Sequence, residues 1–289
     1  FKEFEFSHPS VRNRFYQVLR LGALLHDIGH GPLSHTTEEV MPELRELKID
    51  VYGSKMNEKR LASHEDYTIK FLTDSTLSEI LKAEFQDLEP YHVACLVDSK
   101  LPSKDHFFED QGFNFRPILG QLVSSEMDCD RMDYLERDAY FCGTNYGRVE
   151  LSWLLGNLSF HINDKGNVYL ALDRRALYTF DDFLISRHHM HLMVYFHHKS
   201  IVYEEMLMRY FASKDCSFQL PADIYDYTGC VDATLYMHLA KVENIWAKRI
   251  SERRPFRMLF ELHSTESNPR PDNIQKFLEN DGLEVIHAS

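Results

Sequence analysis

The stretch LLHDIGHGPLSH, residues 24–35, sets three imidazoles and a carboxylate within ten residues: His26, Asp27, His30 and His35. It directly follows an apolar run. Val11, Phe15, Val18, Leu19, Leu21 and Leu25 recur at helical spacing and form one stripe, which predicts a helix from Val11 to Asp27 ended by Gly29 and Gly31. The fold must therefore place an adjacent His-Asp pair at the end of a buried helix. For a lone pair of this kind two accounts are open: the histidine caps helical carbonyls with Asp27 in a turn, or both side chains ligate a divalent metal. The addition of His30 and His35 favours the metal.

The rest of the composition bounds what such a site can serve. With 289 residues the chain is long enough for a substantial core, and 44% hydrophobic with 27% charged residues is ordinary for a globular protein. A formal charge of -13 argues against coating nucleic acid through global charge, so nucleic acid is not an expected partner. No apolar stretch approaches the length of a membrane span, and no membrane partner is expected. The five cysteines are odd in number and not close-paired, which fits reduced thiols in a cytoplasmic protein.

Periodicity predicts a mostly helical chain with small β pieces. His64–Phe85 reads as one or two helices and Tyr91–Val97 as a short one, whereas the polar stretch Leu44–Asn57 reads as a loop or mobile insertion. Ile118–Phe141 reads as one long helix stopped by Gly143, and Leu177–Phe211 as a second without glycine or proline. Leu158–Ile162 and Val168–Leu172 alternate around Asn163–Asn167, a hairpin pattern. Phe256–Leu262 reads as a strand, with a short helix after Pro269. The expected division is a core over residues 1–212 and a helical extension with minor β over 213–289.

The motif HDIGHGPLSH resembles the HD-domain metal-dependent phosphohydrolases, in particular their deoxynucleoside triphosphate triphosphohydrolase branch. HD alone carries little weight; the glycines and the further histidines make the likeness specific, and it extends from about Val11 to Lys199. The resemblance implies an HD helical bundle and a divalent metal (Mn, Fe, Mg, Ni, Co or Zn, not distinguished) held by His26, Asp27 and Asp130. Asp130, Tyr134 and Asp138 lie at i, i+4 and i+8 in SEMDCDRMDYLERD, on one helical face spanning about 12 Å. By resemblance Arg131 and Tyr134 approach phosphate, and Asp138 sits by the sugar. In ISRHHMHLMVYFHHK, Arg187, His191 and Tyr195 repeat the spacing; a guanidinium suits phosphate, while His and Tyr can bond or stack on sugar and base. The same resemblance places His30, His35, Glu38 and His64 in the catalytic set, and a carboxylate holding an imidazole in one tautomer suits proton transfer.

The likeness implies hydrolysis of a dNTP to deoxynucleoside and inorganic triphosphate. An HD enzyme acting on another nucleotide and a catalytically silent nucleotide-binding protein are the alternatives. Homo-oligomers are implied as well, with a nucleotide effector between subunits on basic side chains. Arg249, Arg253, Arg254 and Arg257 in RISERRPFR could form such a site or a solvated helix end. His188, His189, His197 and His198 could form a separate metal cluster, though surface histidines are the plainer account.

One part of the pattern is missing. The family's metal shell opens with a histidine upstream of His-Asp, and His8, at the far end of a helix roughly 22 Å long, is in the wrong place for it. Because the sequence opens on Phe rather than Met, the expectation is that an N-terminal part carrying that histidine is left out.

Overall fold

The computed structural model describes residues 4–257 and 270–282, and these are mostly helical. Among them, two antiparallel strand pairs form: Glu109–Asp110 with Phe113–Asn114, and Leu158–Ile162 with Val168–Leu172 in the register Leu158 opposite Leu172. The second pair is the hairpin that the alternating pattern predicts. Of the strand expected at Phe256–Leu262, residues 258–262 lie outside the described residues, and Phe256 and Arg257 belong to no element. No described helix is long and apolar enough to cross a membrane.

The chain separates into two compact units. One runs to Tyr195 and takes up Ser217–Leu235; the other holds Phe196–Cys216 and the described residues from Tyr236 onward.

Within the first unit, the stripe of the first helix, Pro9–Leu25, buries Val11, Phe15 and Val18. Where it crosses its neighbours it presents Gly22, at which a Cβ would stand 3.1 Å from Val123 and 3.4 Å from Leu96. The helices Pro90–Val97 and Arg116–Val123 can thus approach closely. His64–Thr73 packs on Pro90–Val97 and buries residues on nearly every side, Tyr67, Ile69 and Leu72 among them. Its buried polar members, Asp66 and Thr68, have hydrogen-bond partners, as a helix set inside a core requires.

Leu44–Asn57 is not a mobile insertion. It forms the short helix Leu44–Leu47 and a 3-10 segment, Asp50–Asn57, that bury Leu44, Leu47, Ile49 and Tyr52. Their spacing of three, two and three residues matches no single period, so the sequence pattern hides them. A polar network pins the segment. The Asp66 carboxylate, 1% exposed, accepts from Tyr52 Oη at 2.8 Å, from Arg60 at 2.6 and 2.9 Å, and from the Ser63 backbone N–H at 2.8 Å.

Both expected long helices are broken. Ile118–Phe141 divides into Arg116–Val123 and Cys129–Cys142. Asp128 opens the second piece, accepting from the backbone N–H of Arg131 at 2.8 Å and of Ser125 at 2.9 Å. Serine and aspartate side chains compete for backbone groups in this way, and apolar spacing alone does not register it. Gly143, at φ 69°, ends the piece in the left-handed conformation that suits glycine. Leu177–Phe211 likewise divides into Leu177–Met190, a π-helical turn His191–Tyr195, and His198–Phe211.

Burial alone would raise the Asp66 pKa, but hydrogen bonds from Arg60, Ser63 and Tyr52 overcome it and hold the carboxyl below its ordinary 3.8. A depressed folded-state value stabilises the fold above pH 3.8, and that contribution is lost as pH falls through the lower value. Asp66→Asn is therefore expected to cost about 2–3 kcal/mol in urea unfolding at neutral pH. The urea midpoint of the variant should also fall less between about pH 5 and about pH 3 than that of the wild type.

Candidate active site

The first helix ends at Leu25, one turn before the glycines, and residues 26–29 form a turn. Gly29 is seated where a Cβ would overlap the His64 carbonyl and the Thr68 backbone nitrogen. That contact lets Thr68 Oγ1 accept from Gly29 N at 3.0 Å and donate to the His26 carbonyl at 2.9 Å. Tyr227 Oη donates to the Gly29 carbonyl at 2.7 Å from the other side. Beyond the turn, Leu33 and Ser34 take left-handed backbone at φ 57° and 55°, and Asp232 accepts from Leu33 N at 2.9 Å. Strain of this kind on two residues lacking a glycine's freedom persists only where the surroundings enforce it.

Two groups of ligand atoms result, each within 4.8 Å: His26, Asp27 and Asp130; and His30, His35, Glu38 and His64. The helix break at Ser124–Asp128 sets Asp130 in the first turn of a new helix, facing the His-Asp turn. His26 Nδ1 lies 3.0 Å from the Ala23 carbonyl, which can only accept, so Nδ1 carries the proton. In the neutral ring Nε2 then holds a lone pair, 3.3 Å from Asp27 Oδ2. Two acceptors facing each other, with a second carboxylate alongside, call for a cation. Burial and the nearby Asp27 charge push the Asp130 carboxyl above its ordinary value, whereas the His30 hydrogen bond holds that of Asp27 below. The donor set fits a divalent ion.

The second group adjoins the first, with His30 Nε2 3.5 Å from Asp27 Oδ1. His30 and His64 stack at 4.0 Å, and His35 stands edge-on to both. Glu38 Oε1 meets His64 Nδ1 at 2.5 Å and His35 Nδ1 at 3.1 Å. Burial opposes ionisation of Glu38, but the bonds from His64 and His35 prevail and its pKa is lowered. An ionised Glu38 fixes the proton of His64 on Nδ1 and aims Nε2 away from itself. Nδ1 of His30 is buried with no hydrogen-bond partner among the described residues.

Along the Cys129–Cys142 helix the remaining expected residues fall into two clusters. Asp138 accepts from Tyr195 Oη at 2.9 Å; the Tyr134 ring is 6.0 Å from Tyr195, and His191 is 5.0 Å from it. The π-helical turn thus sets His191 and Tyr195 against the Cys129–Cys142 helix, although the expected straight helix is absent. Arg131 and Arg187 meet elsewhere, on Glu126, at 3.1 and 3.0 Å.

Other residues weighed in the sequence lie outside these clusters. His188, His189, His197 and His198 do not gather as a ligand group among the described residues. His8 caps the first helix, its Nδ1 accepting from Ser10 N at 3.2 Å. Arg249 covers the Phe256 ring at 4.5 Å, beyond the helix Ile245–Ser251. Sequence reasoning missed Thr68, Tyr227 and Glu126. No motif marks the first two, and Glu126 sits inside a stretch that reads as unbroken helix.

Residues 11–138 match the HD domain, and residues 153–277 match the HD-associated region. The chain belongs to the HD-domain family. HD domains are metal-dependent hydrolases that bind divalent ions. The uncharacterized protein MG461 of Mycoplasma genitalium is 32% identical over 191 residues, 65% of this chain and 39% of that protein. The uncharacterized protein MJ1154 of Methanocaldococcus jannaschii is 26% identical over 257 residues, 89% of this chain and 47% of that protein. A Dictyostelium discoideum protein named deoxynucleoside triphosphate triphosphohydrolase SAMHD1 homolog is 25% identical over 216 residues, 75% of this chain and 37% of that protein. The chain spans between a third and a half of the length of these relatives.

Asp130→Ala is expected to weaken divalent-metal binding by more than about tenfold, read by calorimetry with Mn²⁺. Asp133→Ala, three residues along the same helix, should leave it within about twofold.

Proposed function

We propose that the protein hydrolyses deoxynucleoside triphosphates to deoxynucleoside and inorganic triphosphate. The observation that carries this reading is the His26, Asp27 and Asp130 donor set beside a carboxylate-held imidazole, His64 on Glu38, with two arginines on the same helical framework. His26, Asp27 and Asp130 would hold a divalent ion, which supplies Lewis acidity toward a phosphoryl oxygen. Arg131 and Arg187 bind phosphate oxygens through their planar forks and offset their charge.

Water adds to the α-phosphorus, and the bond from that phosphorus to the 5′ oxygen breaks. His64, held at Nδ1 by Glu38, delivers a proton from Nε2 to the leaving oxygen and takes back the proton that the attacking water gives up, so the ring is restored. His30 and His35 line the phosphate side and orient the water. Asp138, His191 and Tyr195 form the sugar end, where the Tyr195–Asp138 hydrogen bond narrows the room for a 2′-hydroxyl, and Tyr134, beside Tyr195, reaches toward phosphate. The Dictyostelium relative, by its name, supports this substrate class.

The test is incubation of the intact protein with each dNTP and Mn²⁺, with products separated by ion exchange. Deoxynucleoside plus triphosphate is expected, and Glu38→Gln should slow turnover by about 10²-fold or more. Release of phosphate or pyrophosphate would keep the hydrolase chemistry and reject the triphosphohydrolase.

A further inference from the structure

The two arginines assigned to phosphate do not face open space. Arg131 Nη1 and Arg187 Nη1 converge on one atom, Glu126 Oε2, at 3.1 and 3.0 Å. The partners differ in how firmly they are held. Arg131 is anchored from behind: Nη1 also donates to the Ser125 carbonyl, and its Nε stands 3.8 Å from Asp128. Arg187 reaches Glu126 through Nη1, while its Nε is buried with no hydrogen-bond partner among the described residues. The side chain of Glu126 is 71% exposed, and the residue sits in the Ser124–Asp128 break rather than on a helix.

A carboxylate offers two oxygens and one negative charge. Here a single oxygen serves two guanidinium groups, Asp128 supplies a second negative charge only to Arg131, and Arg187 keeps an unsatisfied buried donor. A phosphate or polyphosphate offers more oxygens and more charge to the same fork.

We infer that Glu126 is an internal anion that occupies the phosphate-binding fork of Arg131 and Arg187 and must swing aside when a polyphosphate binds. This rests on the phosphate-binding reading of the two arginines. In the free protein Glu126 offsets the mutual repulsion of the guanidinium groups and keeps them aligned. The binding-competent state is the one with Glu126 displaced, and apparent affinity is reduced by the fraction of molecules in that state. Exposure is what makes displacement inexpensive, because exposed ion pairs are individually weak. The same competition favours release of a highly charged product, since the carboxylate re-enters the fork as the anion leaves.

Inorganic tripolyphosphate is the probe, titrated by calorimetry into wild type, Glu126→Gln, Glu126→Ala, Arg187→Met and the double variant Arg187→Met/Glu126→Gln, at matched metal content. Both Glu126 variants should bind roughly two- to tenfold more tightly than wild type. Arg187→Met should bind more weakly, and adding Glu126→Gln to it should gain less than in the wild-type background. Should Arg187→Met weaken binding while both Glu126 variants bind no tighter than wild type, the internal-anion inference is overturned and the phosphate reading stands. Should Arg187→Met leave binding unchanged, the arginines do not take phosphate and both readings fall.

Discussion

The site depends on a contact with no room in it. Gly29 lies so close to the start of the His64–Thr73 helix that a methyl group would overlap backbone atoms of His64 and Thr68. Because that approach is possible, one threonine hydroxyl can bridge Gly29 N and the His26 carbonyl. Through it the His-Asp turn and the helix bearing His64 become one rigid object. The stack of His30 on His64 and the shared carboxylate of Glu38 depend on that placement. On the far side, Tyr227 and Asp232 close over the turn.

Charge is arranged around this object in opposed pairs. Asp27 and Glu38 are kept ionised by imidazoles, whereas burial and the neighbouring Asp27 charge push Asp130 toward the neutral form. Such crowding is unfavourable by itself and becomes favourable once a cation lies among the donors. Asp66 shows the structural counterpart. Its carboxylate is more deeply buried than those of the site, yet Arg60, Tyr52 and Ser63 satisfy it, so it serves stability and has no spare valence for chemistry.

The helix breaks carry functional weight. At Ser124–Asp128 the chain uncoils, is capped by Asp128, and restarts with Asp130 in its first turn. A continuous helix over Ile118–Phe141 would give Asp130 a different direction and would have no loop for Glu126. The π-helical turn at His191–Tyr195 acts similarly at the other end, widening one turn and setting Tyr195 on Asp138. In both places the local hydrogen bonding departs from the α pattern where site residues are presented.

By itself the sequence determined the helical class, the first helix and its buried stripe, the hairpin, and the cluster His26, Asp27, His30 and His35. Each of these is written in short-range spacing or in chemically specific residue types. Tertiary structure decided the rest: the meeting of Asp130 with His26 and Asp27 and the embrace of Glu38 by two histidines, which family resemblance implied but no spacing in the chain encodes, and the breaks in both expected long helices. It also decided the burial of Leu44–Asn57 and the capture of Arg131 and Arg187 by Glu126. The physical reason is common to all of them. Periodicity reports which face of a segment is apolar, but helix interruptions arise from side chains bonding to backbone, and ion pairs across 61 residues, as between Glu126 and Arg187, exist only once packing has brought the segments together.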